Sequence, residues 1–121
     1  MNNKGCLFLD WGECFQHFAI LLVKKEKGLL VDELVDECHM CLESQLGQEK
    51  FEKIFESQEF SDLFNLNLET FEAVDEAKLD LIKASEVNYL NDRRAKAKKI
   101  LHEKFFGGEY KEVKNTGYEN L

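Results

Sequence analysis

Apolar residues recur at helical rather than alternating spacing along most of the chain. In residues 10–25, Trp11, Cys14, Phe15, Phe18, Leu21 and Leu22 fall on one wide face, the period of an amphipathic helix. Ile20 and Val23 lie off that face, which predicts burial on more than one side. The preceding "CLFLDW" suits a short strand or a helix start equally. "KKEKG" (24–28) is a polar break ending in Gly28. A second helix is expected over 29–46, with Leu30, Val31, Leu34, Val35, Cys38, Cys41 and Leu42 as its stripe and Gly47 as its C-cap. Phe51, Ile54 and Phe55 mark a third helix over 48–57, followed by a further turn or two around Phe60. "NLN" (65–67) reads as a break and Asn67 as an N-cap, with Glu69 and Glu72 in the first turns after it. From there to Phe106 no residue stops a helix, until Gly107 and Gly108. Such a helix would be about 57 Å long at 1.5 Å per residue, longer than a small domain is wide, so it must kink, protrude or pair with another chain.

The expected fold class is all-α: a helical hairpin and a short third helix packed on part of a long C-terminal helix. Residues 1–108 form one domain in this reading, and 109–121 an irregular or partly disordered tail. Composition agrees, because the chain has no proline, few glycines and enough apolar residues in its 121 to build a core.

Charge narrows the function classes. The net charge of −8 is split, with 7 basic and 18 acidic residues in 1–80, and 9 basic and 6 acidic in 81–121. An acidic chain is a poor direct binder of nucleic acid, since phosphate affinity comes largely from Lys and Arg. "FAILLV" (18–23) is too short to span a bilayer, so the expectation is a cytoplasmic protein with reduced cysteines. No membrane contact is expected.

Two groups of residues raise the possibility of metal chemistry. Cys14, His17, Cys38 and Cys41 would come near one level if the first two helices form an antiparallel hairpin, and a Cys-Cys-Cys-His set is a zinc donor set. Helical phase favours core packing instead, because Cys38 and Cys41 share the stripe of Leu34 and Val35, and a free thiol packs like a small apolar group. Glu33 and Asp36 in "ELVDECH" form the second group. That segment resembles the Glu-x-x-Asp element of the all-α nucleoside triphosphate pyrophosphohydrolases. The resemblance implies magnesium ligation by Glu33 and Asp36, with Asn88, Asn91 and Arg94 towards the phosphates. That family also carries a Glu-Glu-x-x-Glu element, for which the first helix here offers only Glu13. No nucleophile elbow or Gly-rich phosphate loop is present, so no catalytic residue and no cofactor are assigned.

The long helix carries the remaining signal. With Leu79 at an a position, Glu86 and Arg93 also fall at a, and Leu90, Ala97 and Ile100 lie on or beside the same seam. Opposite charges on a face that should be apolar suit a polar layer that sets register between two chains. The expectation is a small acidic protein acting through protein–protein contacts and forming a homodimer through Glu86, Leu90, Arg93, Ala97 and Ile100. A second expectation is an acidic inhibitor or antidote masking a basic, nucleic-acid-binding surface of another protein. The magnesium-dependent pyrophosphohydrolase is a third.

Overall fold

The computed structural model describes residues 10–78 and 84–107. It is all-α, with five helices among the described residues: α1 (Trp11–Glu26), α2 (Asp32–Leu46), α3 (Gln48–Phe55), α4 (Gln58–Lys78) and α5 (Ala84–Phe106). The segment before Asp10 and the tail at 109–121 lie outside the described residues.

Several helix ends have a local cause. Asp10 caps α1, its Oδ1 accepting from the Glu13 backbone N–H at 2.8 Å, which satisfies a donor that helix geometry leaves unpaired. At the other end, Gly28 takes φ +86°, a conformation cheap only for glycine. The Gly28 and Leu29 N–H groups then close back on Lys25 and Lys24 carbonyls. Leu29 and Leu30 therefore sit in the connection, and α2 starts at Asp32, three residues later than its apolar stripe suggested. Gly47, at φ +89°, separates α2 from α3 as expected of a C-cap.

The largest departure from expectation is at α4. The helix does not begin at Asn67 but at Gln58, capped by Ser57, whose Oγ accepts from the Phe60 N–H at 3.1 Å. "NLN" is no break. Asn67 is mid-helix, and its side chain donates to the Leu63 carbonyl at 2.8 Å, while Thr70 donates to Leu66 at 2.7 Å. This back-bonding one turn earlier lets short polar side chains sit inside a helix.

The question left open for 67–106, whether it kinks, protrudes or pairs, is answered by two separate helices. α5 packs extensively on α4 and also on α1, and it runs back along α4. Arg94 reaches Asn67 at 3.0 Å and Lys104 reaches Glu59 at 3.0 Å, so later residues of α5 meet earlier residues of α4. The two are an antiparallel pair, not a 57 Å rod. Their corner, at 79–83, lies outside the described residues.

The core follows from this closure. Phe15 and Phe18 of α1 lie at its centre, against Phe51 and Ile54 of α3, Phe60 and Leu63 of α4, and Ala97 and Leu101 of α5. Trp11 stacks on Phe106, ring centroids 5.3 Å apart, which ties the start of α1 to the end of α5. Gly12 belongs to the same contact, since a Cβ there would lie 3.2 Å from the Lys98 carbonyl oxygen. Lys98 also pairs with Glu13 at 3.0 Å.

Candidate functional site

The cysteine–histidine group does not assemble. Cys14 and Cys38 are buried in the core cluster, and burial pushes the Cys38 thiol up to about 11. His17 is exposed. Cys41 is half-buried, so its place in the core stripe is only partial. No group of three or more His, Cys, Asp or Glu side chains able to hold a metal occurs among the described residues.

Glu33 and Asp36 are both exposed on α2. Glu13, the acidic residue in the stretch of α1 that the resemblance would use, is engaged by Lys98 instead. Of the residues that the pyrophosphohydrolase resemblance places near phosphates, Asn88 is exposed, whereas Asn91 and Arg94 are part-buried and line one cavity. The two halves of the resemblance thus fall on different helices without a shared acidic cluster.

The seam assigned to a second chain is partly used within this one. Ala97 is buried in the core, Leu90 is half-buried, and Glu86 and Arg93 are exposed. Arg93 lies over the Tyr89 ring at 5.7 Å, and Ile100 remains 55% exposed.

The feature that pattern reading missed is the outer face of α2. Leu30 and Leu34 were expected in the core, but Leu30 is 98% exposed and Leu34 51%. Leu29 and Met40 are also exposed. Only Val35, Cys38 and Leu42 of α2 are buried, because α2 packs on α1 and α3 and nothing among the described elements covers its far side. A groove of about 350 Å³ opens there, lined by Leu30, Val31, Asp32, Glu33, Leu34 and Glu37.

Its charge is of one sign. α2 carries Asp32, Glu33, Asp36, Glu37 and Glu43 and no Lys or Arg. Lys25 pairs with Asp32 at 3.6 Å, and His39 lies 3.9 Å from Glu43. Glu33, Asp36 and Glu37 have no ion-pair partner among the described residues. Apolar side chains in water beside unneutralised carboxylates form a surface that a cationic, partly apolar counterpart would match. A signal was available in the sequence, since Leu30 follows the glycine that ends α1 and so has no helical phase at all.

No family model matches the chain, and neither a curated protein nor a solved structure is significantly similar to it. No helix among the described residues is long and apolar enough to cross a membrane.

Proposed function

We propose that this chain acts through protein–protein contacts, docking the outer face of α2 and the loop before it onto a basic, partly apolar surface of another protein. The observation that carries this reading is Leu30, 98% exposed beside the carboxylates of Glu33 and Glu37, which have no ion-pair partner among the described residues. A leucine held in water gains about 1.5–3 kcal/mol when buried, and charge complementarity selects what buries it. A basic surface that otherwise binds nucleic acid is the partner class this chemistry fits best, which makes the chain an acidic antagonist of such a protein.

The test is affinity capture from the native host with three baits: the natural chain, Leu30→Asp, and Glu33→Lys with Glu37→Lys. A partner retained by the natural chain, released by added salt and lost with both variants supports the reading. One captured equally by all three overturns it.

Self-association through the outer face of α5 is a second reading. Tyr89, 61% exposed, and Ile100 favour it, with Arg93 and Glu86 beside them. Light scattering at high micromolar concentration decides it: a dimer weakened by Arg93→Glu supports this face, and a monomer removes it.

A further inference from the structure

A cavity of about 300 Å³ lies where α1, α4 and α5 meet, on a different part of the molecule from the acidic face of α2. Ile20 and Val23 from α1, with Phe71 and Val74 from α4, give it apolar lining. Asn67 and Thr70 from α4, with Asn91 and Arg94 from α5, give it polar lining. Asn67 and Thr70 are almost fully buried.

Arg94 is the unusual member. Its guanidinium has five N–H donors, and one of them is given to Asn67 Oδ1 at 3.0 Å. No carboxylate among the described residues lies within ion-pair distance of it. Glu13 is the nearest influence of opposite sign, but that carboxylate is held by Lys98 at 3.0 Å. Burial lowers the Arg94 pKa from its ordinary value, and the field of Glu13 opposes this only in part. A part-desolvated cation without a counter-ion is an unfavourable arrangement that a bound anion relieves.

We propose that this cavity binds a small carboxylate with an apolar body, its head on Arg94 and its chain along Ile20, Val23, Phe71 and Val74. The remaining donors suit an acceptor head. No further Arg94 N–H is given to a described residue, and Asn67 Nδ2 uses one hydrogen on the Leu63 carbonyl and keeps the other. Thr70 donates its hydroxyl proton to Leu66, so it offers no proton that would draw the head elsewhere. A single cation, with the Glu13 carboxylate in its neighbourhood, matches one negative charge better than two, which favours a carboxylate over a phosphate monoester. The apolar lining then sets the rest of the ligand, as in most small-molecule cavities.

The experiment is a titration of the full chain by amide chemical shift, using octanoate, octanol, octylammonium and octyl phosphate as probes. Octanoate should bind saturably, with shifts at Asn67, Thr70 and Asn91, and octanol and octylammonium at least about tenfold more weakly. Arg94→Gln should weaken octanoate by a similar factor. Val74→Phe fills the cavity from its apolar lining and leaves the Arg94–Asn67 bond in place, so it should abolish binding whether or not Arg94→Gln folds. The proposal is overturned by an absence of saturable octanoate binding at millimolar concentration. Equal affinity for octanol, tighter binding of octyl phosphate, or undiminished binding in Val74→Phe would each overturn it as well. None of these outcomes bears on the α2 face.

Discussion

Cys38 shows how far a single side chain's role follows from its phase. It shares a helical stripe with Val35 and Leu42, and the structure buries all three. Desolvation raises the thiol pKa from 9.0 to about 11, because the apolar surroundings disfavour the thiolate. A raised folded-state pKa means that the unfolded chain releases this proton first. The contribution to stability is therefore full below about pH 9 and is lost as pH rises towards about 11. Urea midpoints measured across that window should fall for the natural chain, and Cys38→Ala should remove that part of the slope while costing about 1 kcal/mol at neutral pH. An unchanged slope would mean that Cys38 is not the titrating group. The same phase argument misplaced Leu30 and Leu34, since periodicity shows which residues share a face but not whether another element covers it. His39 reads as solvent-facing from its helix position and is exposed, with one face of its ring stacked on Phe51 at 4.6 Å between centroids.

Helices α1, α2 and α3 were legible almost in full because glycines at 28 and 47 punctuate them, both at positive φ. The pair α4 and α5 was not. Residues 79–83 contain neither Gly nor Pro, so local composition marks no reversal, and Asn67 looks like a cap wherever it stands. Tertiary burial decides instead: Leu101 and Ala97 reach the core shared with Phe15 only if α5 turns back along α4. Two substitutions test this closure. Leu101→Ala should cost about 2–5 kcal/mol in denaturant unfolding, the range for a buried leucine; on a protruding rod it would cost little. Asn67→Ala should cost about 1–3 kcal/mol, because it strands an Arg94 N–H and removes the bond that links α4 to α5. The surface ion pair of Lys104 with Glu59 should matter far less. It nonetheless holds the Glu59 carboxyl below its usual range, chiefly through the hydrogen bond from Lys104.

Across the molecule, charge is segregated by the order of packing. α2, with five acidic residues and no Lys or Arg, sits on α1 and α3, while α5, with six basic and three acidic residues, sits on α4 and α1. Much of the positive charge on α5 is engaged locally, through Lys96 with Asp92, Lys98 with Glu13 and Lys104 with Glu59. Among the described residues, the negative charge on α2 is mostly not. That imbalance, rather than the net value of −8, is what a partner would feel at distance. Exposed charges steer encounter and are screened within about 8–10 Å at physiological salt, whereas a desolvated apolar anchor holds the complex once formed. The two contributions should therefore separate kinetically once a partner is in hand. Glu33→Lys with Glu37→Lys should slow association at low salt and flatten its salt dependence. Leu30→Ser should speed dissociation and leave the salt slope unchanged. All three positions are exposed, so each variant should keep its unfolding free energy within about 0.5 kcal/mol of the natural chain, and lost binding cannot then be assigned to unfolding. Surface plasmon resonance at two ionic strengths reads both rates. If Leu30→Ser altered only association, or the charge reversals only dissociation, the division of labour on α2 would be wrong, and the exposed leucine would not be the anchor of the docking face.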